Sequence, residues 1–213
     1  MNNRILLLFG IAIPLLFTTA ILGLGTLVDG YSHLSETVSE IGQTGSPAEL
    51  LWKFAGIAVA LCFLLFSLGL YRFSRANSLS VLPACLVACF GLMTIGTSAF
   101  ESPHPIHNVF GLLLTLGYMA PLALALCWRG LDWATPLVRF SWVIWVFILA
   151  SIALNLSPLF TRDLFPLEYY GLVQRSLFLL FYGLWCPVVG LSLYRTTSNS
   201  SINTSAQTDI SHA

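Results

Sequence analysis

Three side chains with acid–base and metal-binding chemistry lie close together in residues 99–108, AFESPHPIHN. Glu101, His104 and His107 place one carboxylate and two imidazoles within seven positions. Imidazole nitrogens and carboxylate oxygens are ligands of zinc and also donate or accept protons in catalysis. Pro105 suits the first position of a helix, so His104 is predicted to be its N-cap and His107 its third residue. The positive end of the helix dipole disfavours an imidazolium, so we expect a neutral His107 that can bind a metal or accept a proton.

A second group of polar side chains occurs in HLSETVSEI, residues 33–41. At about 100° per residue of an α-helix, His33, Glu36 and Glu40 fall within about 60° of one another. The apolar residues fall on a different face: Leu34, Val38 and Ile41. This pattern predicts a short amphipathic helix of about nine residues, which is too short to span a membrane. Its polar face would turn towards either a pocket or water.

One cation stands inside the last apolar stretch of the sequence. Arg175 lies four residues into the run 171–194. A charged group at that depth is costly unless it is paired or reaches the interface. The predicted partners are three carboxylates: Glu40, Glu101 and Glu168. Arg175 is predicted to bind the anionic head group of a substrate, together with three neutral polar residues: Ser39, Asn108 and Gln174.

The composition shows which class of protein must position these residues. Of the 213 residues, 57% are hydrophobic and 8% are charged, whereas a soluble domain carries about 25% charged residues. So few charges cannot cover a surface that faces water, which excludes a soluble globular protein. The net charge of zero and the absence of a basic cluster exclude a nucleic acid as partner.

The apolar residues fall into six runs of about the length that spans a bilayer as a helix. The runs are 5–28, 50–71, 81–100, 106–127, 140–158 and 171–194. They predict an all-α integral membrane protein with six transmembrane helices in one bundle, with the short amphipathic helix in the first outer loop. Prolines inside three of the runs predict kinks in helices one, four and six: Pro14, Pro121 and Pro187.

The chain is predicted to contain one domain and a tail. Residues 1–195 form the six-helix membrane domain, and residues 196–213 are rich in Ser, Thr and Asn and are expected to be a disordered cytoplasmic tail. Six spans place both termini on one side. Most of the basic residues lie on that side: Arg4, Arg72, Arg75, Arg129, Arg139 and Arg195. Fewer lie on the other: Lys53, Arg162 and Arg175. This bias predicts cytoplasmic termini in a bacterial inner membrane and a polar site that faces the periplasm.

Several short motifs resemble one known family. YSHLSETVSEIG, the following GSP, the acidic residue that ends helix three, HPIHN and GLVQR are similar to the six-helix prokaryotic membrane family called domain of unknown function 998. The resemblance covers about residues 5–195, and Ser39-Glu40-x-Gly42 is its most specific part. The family commonly has Asp at the position of Glu101 and a Glu-Arg pair at the position of Gln174-Arg175. The resemblance implies an architecture and candidate positions, and it implies no reaction.

The sequence leaves three hypotheses for function. The first is a metal-dependent hydrolase or transferase that acts on a lipid-like substrate in the bilayer, with three catalytic residues: Glu40, Glu101 and His107. Its cofactor would be a divalent metal such as zinc, bound by His33, His104, His107 and Glu101. The second is a small proton-coupled transporter, and the third is a non-catalytic accessory or sensor protein. The inner halves of the spans are almost free of charge and show no inverted repeat, which favours a site on one side over a pathway.

Overall fold

The computed structural model describes residues 2–157 and 166–197, and all regular structure within them is helical. The helices are α1 (Asn3–Gly25), α2 (Val38–Ile41), α3 (Glu49–Ala76), α4 (Leu82–Ala99), α5 (Pro105–Gly117), α6 (Ala120–Cys127), α7 (Thr135–Leu156) and α8 (Tyr170–Phe178). Short 3₁₀ turns, Asp132–Ala134 and Leu167–Tyr169, precede α7 and α8. Helix α8 continues through a π-helical segment, Leu179–Trp185, into residues 186–197. Arg162 and the predicted tail after residue 197 lie outside the described residues.

Six stretches of helix are long and apolar enough to cross a membrane, which confirms the predicted multi-pass architecture. They are Asn3–Gly25, Glu49–Ala76, Leu82–Ala99, Pro105–Cys127, Asp132–Leu156 and Tyr170–Thr197. The start of α1 and the end of the last span meet at one end of the bundle, since the Arg4 guanidinium lies 4.6 Å from the ring centre of Tyr194. The opposite end carries α2, the first residues of α3, α5 and α8, and the last residues of α4 and α7, and is called the site end below.

Two of the three prolines that were predicted to kink a span coincide with a change in the helix. The fourth span is divided between α5 and α6, because Pro121 lacks the N–H that would bond the carbonyl of Gly117. In the sixth span, the π-helical segment ends two residues before Pro187. Helix α1, in contrast, runs through Pro14 without interruption.

Small residues and aromatic rings hold the bundle together. Helix α3 packs against α1 and α4, and the π-helical segment packs against α1 and α7. A Cβ at Gly10 would lie 2.6 Å from the carbonyl oxygen of Cys186, so glycine permits the close approach of α1 to the last span. The centre is filled by aromatic side chains with little exposure: Phe63, Phe66, Phe90, Phe181, Tyr182 and Trp185.

The first outer loop differs from the predicted nine-residue helix, since only Val38–Ile41 is helical. The Glu36 carboxylate accepts a hydrogen bond from the backbone N–H of Ser32 at 2.6 Å, and this closes a turn before the helix can start. Val38 and Ile41 are buried as predicted, whereas Leu34 is 52% exposed. Helix α3 starts at Glu49, after this loop.

Candidate functional site

The start of α5 sets the position of His107. His104 caps the helix, and its Nδ1 accepts a hydrogen bond from the N–H of Ile106 at 3.2 Å. Pro105 is the first helical residue and His107 the third, as predicted. The preceding turn is tied to the first outer loop, because the N–H of Thr44 donates to the carbonyl of Ser102 at 2.9 Å. The imidazole of His107 is therefore held against that loop.

The hydrogen bonds of His107 determine which ring nitrogen carries a proton. Its Nδ1 lies 3.0 Å from the carbonyl oxygen of Thr97 and 2.8 Å from that of Phe100. Carbonyl oxygens only accept, so Nδ1 is the protonated nitrogen. Its Nε2 lies 3.1 Å from the hydroxyl oxygen of Ser39. In the neutral ring, Nε2 accepts the hydrogen bond of that hydroxyl, which is the arrangement of a nucleophile beside a general base.

Helix α2 brings Ser39 to His107. Thr37 and Glu40 form a capping box in which the Glu40 carboxylate accepts from the N–H of Thr37 at 2.5 Å and from its hydroxyl at 3.0 Å. The N–H of Val38 donates to the side-chain carbonyl of Gln174 on α8 at 2.9 Å. Glu40 is thus used to shape the turn that presents Ser39, and Gln174 anchors that turn to the last span.

Arg175 fastens the loop that precedes α2. Its guanidinium donates to the Glu36 carbonyl at 2.8 Å and to the Tyr31 hydroxyl, and it lies 3.4 Å from Nδ1 of His33. Burial, with the nearby guanidinium as the second cause, lowers the pKa of His33 below its ordinary value. Gly171 faces the Glu36 backbone so closely that any side chain there would collide with it. The two terminal nitrogens of Arg175 are therefore bound by the first outer loop, whereas its buried Nε has no hydrogen-bond partner in the described structure. The carboxylates expected from the sequence are not its hydrogen-bond partners.

Glu101 forms an ion pair with Lys53, at the first turn of α3. The hydrogen bond from this ammonium is the main reason that the pKa of Glu101 lies below its ordinary value. The pair borders a small space of about 10 Å³ that Ser39 and His107 also border. Lys53, which the sequence analysis counted only as an outer-side cation, is thus part of the surroundings of the Ser39–His107 pair.

A cavity of about 600 Å³ opens beside this pair and is called the main cavity below. Polar side chains from several elements line it: Thr37, Ser39, Thr94, Thr97, Ser98, His107, Asn108, Asn155, Tyr170 and Gln174. Apolar side chains make up much of the remaining wall: Phe17, Trp52, Leu112, Ile152, Leu156, Phe178 and Tyr182. Its volume is typical of a site for a small organic molecule, and its mixed wall suits an amphiphile.

The structure brings together some of the predicted site residues and separates others. Four of them line the main cavity: Ser39, His107, Asn108 and Gln174. Four others line neither space: His33, Glu40, His104 and Arg175. The predicted metal ligands each have a different partner, and within residues 2–157 and 166–197 no three His, Cys, Asp or Glu side chains are grouped to hold a metal ion. Glu101 borders only the small space, beside Lys53.

Sequence reasoning missed two features of the site. The pairing of Ser39 with His107 joins residues 68 positions apart, and neither local pattern indicates it. The polar stripe on α4 does leave a signal, because Thr94, Thr97 and Ser98 are spaced three and four residues apart on one face of an otherwise apolar helix. Such a stripe inside a membrane span indicates a polar cavity.

The comparisons with known proteins give one match. The sequence model of a family described as "Protein of unknown function (DUF998)" matches residues 11–192. Neither a curated protein nor a solved structure matches the chain.

Proposed function

The chain belongs to the DUF998 family of proteins of unknown function, and we propose from its site that it is a membrane hydrolase or acyltransferase that acts on a lipid-like ester. One observation carries this proposal: Nε2 of His107 lies 3.1 Å from the hydroxyl oxygen of Ser39, at the wall of a cavity with both polar and apolar surface. A serine beside a neutral imidazole is the usual means of acyl transfer in proteins without a metal.

The reaction follows from the two hydrogen-bonded groups. Ser39 attacks the ester carbonyl carbon while Nε2 of His107 takes the hydroxyl proton. The tetrahedral intermediate then releases the alcohol, which receives that proton from His107, and an acyl group remains on Ser39. Water or a second alcohol then attacks the acyl group and loses its proton to His107, and His107 gives that proton to the Ser39 oxygen as the bond from Ser39 to the acyl group breaks. The product is a free acid in the first case and a new ester in the second.

The carbonyl oxygens of Thr97 and Phe100 serve His107 in the way that a carboxylate serves the histidine of a catalytic triad. They hold Nδ1–H at 3.0 and 2.8 Å and so fix the ring with Nε2 towards Ser39. Their partial negative charge also favours the imidazolium that forms when Ser39 loses its proton. Two carbonyl dipoles stabilise that charge less than a carboxylate does, which fits a slow enzyme.

Two side-chain amides are the candidates for polarising the ester carbonyl. Gln174 uses its oxygen to accept the N–H of Val38, which leaves its NH₂ group as the donor on a side chain that lines the main cavity. Asn108 follows His107 on α5 and lines the same cavity. Donors aimed at the developing oxyanion lower the barrier of acyl transfer. Asn108 and Gln174, predicted to bind substrate, take this role in the proposed mechanism.

We infer that the chemistry occurs at the periplasmic side of a bacterial inner membrane. Arginines concentrate in the loops that share a side with the termini, and the site end is opposite them. The family resemblance to prokaryotic membrane proteins supports the bacterial assignment. The substrate would then be a component of the outer leaflet or a molecule that reaches it.

The direct test is covalent labelling of Ser39. An alkyl fluorophosphonate is added to the purified protein in vesicles, and the modified peptide is identified by mass spectrometry. We expect an adduct on Ser39 that is absent in Ser39→Ala, unchanged in Ser35→Ala and about 100-fold slower in His107→Ala, since general-base catalysis contributes at least that factor. Failure of Ser39 to react, or equal rates with and without His107, would contradict the enzyme proposal.

A non-catalytic protein that binds a lipid-like molecule is the second candidate. The observation that favours it is the extent of apolar wall in the main cavity. The hypothesis of a binding protein predicts that an amphiphile occupies the main cavity and that Ser39 does not react with the fluorophosphonate. The transporter hypothesis requires instead that the same amphiphile cross the membrane.

A further inference from the structure

We propose that the substrate enters the main cavity sideways from the bilayer, between α5 and α7, and is an amphiphile whose acyl chain lies along α5. The inference deepens the proposed function, on which it relies only for what happens at Ser39. It specifies the entry route, the orientation of the ligand and the position, Gly111, at which a larger side chain would exclude the ligand's acyl chain.

The first argument is that two lining residues also face the outside of the bundle. Leu112 on α5 is 66% exposed and Leu156 on α7 is 40% exposed, and both line the main cavity. Helix α5 packs against α4, whereas α7 packs against α6 and α8, so the two helices have different principal partners. Residues 112 and 156 belong to membrane spans. An opening between these two residues would face the bilayer, so an amphiphile could enter the main cavity from the membrane without crossing water.

The second argument is the length and polarity of the cavity along α5. The lining residues run from His107 to Tyr118, eleven positions that correspond to about 17 Å of helix. This is about half of the hydrocarbon thickness of a bilayer, the depth of one leaflet. The polar pair Ser39 and His107 lies at the site end, and Tyr182 lies near the middle of the last span. An ester group at Ser39 with its chain pointing inward matches this order of polarity.

One position in the wall of the main cavity, residue 111, determines how much space the acyl chain has. Gly111 lines the main cavity, and a Cβ added there meets nothing within 4 Å. A larger side chain at 111 would therefore project into free space that a substrate chain would otherwise use. Gly23 on α1 provides a matched control, because a Cβ there also meets nothing within 4 Å but the residue is exposed and lies outside the cavity lining.

The test measures occupancy of the cavity without any reaction. The probe is a single-chain ether phospholipid that cannot be cleaved and carries a photoreactive diazirine near the end of its alkyl chain, mixed into phosphatidylglycerol–phosphatidylethanolamine vesicles that contain the full-length protein. Tyr118 and Tyr182 line the cavity and are each 4% exposed. A chain in the surrounding bilayer cannot reach them, so cross-links to these two tyrosines report a chain inside the cavity.

We expect cross-links to both tyrosines in the wild-type protein and in Ser39→Ala. Gly111→Leu should lower their yield by about fivefold or more, because added bulk in a filled cavity is strongly disfavoured, and Gly23→Leu should leave it unchanged. Leu112→Trp, a change at an exposed position, should also lower the yield and serves as a second variant if Gly111→Leu does not fold.

The outcomes separate this inference from the proposed function. Cross-links confined to exposed residues, or equal yields at the two tyrosines in all variants, would overturn lateral entry even if Ser39 reacts with a fluorophosphonate. Cross-links that depend on Gly111, together with an unreactive Ser39, would support lateral entry. They would also favour the hypothesis of a lipid-binding protein over that of an enzyme.

Discussion

At the scale of single residues, the location of one proton on His107 determines what the site can do. The carbonyls of Thr97 and Phe100 keep that proton on Nδ1, so Nε2 accepts from Ser39. If Nε2 carried the proton in the neutral ring, it could no longer act as a base towards the serine. The backbone at the end of α4 thus sets the chemistry of a side chain on α5.

The first prediction concerns His33 and pH. The pKa of His33 lies below its ordinary value of 6.5. The larger cause is burial of the ring, and the smaller cause is the positive charge of Arg175. When Arg175 holds the loop that carries His33, the imidazole binds a proton less readily than it does in a detached loop. The binding of the loop to Arg175 is therefore fully favourable above about pH 6.5, and it weakens as the pH falls through the lowered pKa. The thermal midpoint of the protein in detergent should drop between pH 7.5 and pH 5.5, and it should drop less in His33→Gln.

A matched control for this prediction is His104→Asn. Asparagine keeps an N-cap acceptor at α5 while removing an imidazole that does not contact Arg175. Its pH response should equal that of the wild-type protein. An equal pH response in His33→Gln would show that His33 does not contribute to loop attachment.

At the scale of elements, α2 shows how four helical residues can hold a serine beside a histidine on another helix. Its capping box and the bond from Val38 to Gln174 fix both ends of the turn that holds Ser39. The buried side chains of Val38 and Ile41 fix its face against α1. An isolated helix of this length is not stable, so its geometry depends on these three constraints.

The second prediction separates a structural from a catalytic role for Glu40. Glutamine can replace glutamate in a capping box, so Glu40→Gln should keep most of the rate at which a fluorophosphonate labels Ser39. Thr37→Ala removes the cap, should cost about 1 kcal/mol of local stability and should slow labelling. Loss of labelling in Glu40→Gln to the level of Ser39→Ala would instead identify Glu40 as the catalytic base that its sequence position suggested.

The elements could be predicted from sequence much better than the site could. Runs of about 20 apolar residues must be helices in a membrane whatever they pack against, so all six spans were recognisable. The local geometry of α5 was also predictable, since His104 and Pro105 determine its start. The partner of Arg175 was not, because hydroxyl and backbone acceptors carry no charge pattern in the sequence. The start of α2, in contrast, could have been predicted, because Thr37 and Glu40 form the capping-box sequence T-x-x-E.

At the scale of the whole molecule, the third prediction is the orientation of the bundle. A reporter fused after Arg195 should be active in the cytoplasm, and one inserted at Gly45, an exposed turn of the site end, should be active in the periplasm. Paired fusions of alkaline phosphatase and a fluorescent protein measure both locations. Phosphatase activity at the C-terminal fusion would reverse the assignment and place the site at the cytoplasmic face.

The link between α8 and the first outer loop has a consequence for how the protein is made. Ser39 emerges from the ribosome early, whereas Gln174 and Arg175, which hold its loop, belong to the last span. A nascent chain that lacks this span has its serine and its histidine but lacks the two side chains that attach the Ser39 loop to the last span. If Ser39 acts as proposed, its site is complete only once synthesis and insertion are finished, and we expect incomplete chains in the same membrane to be inert towards its lipids.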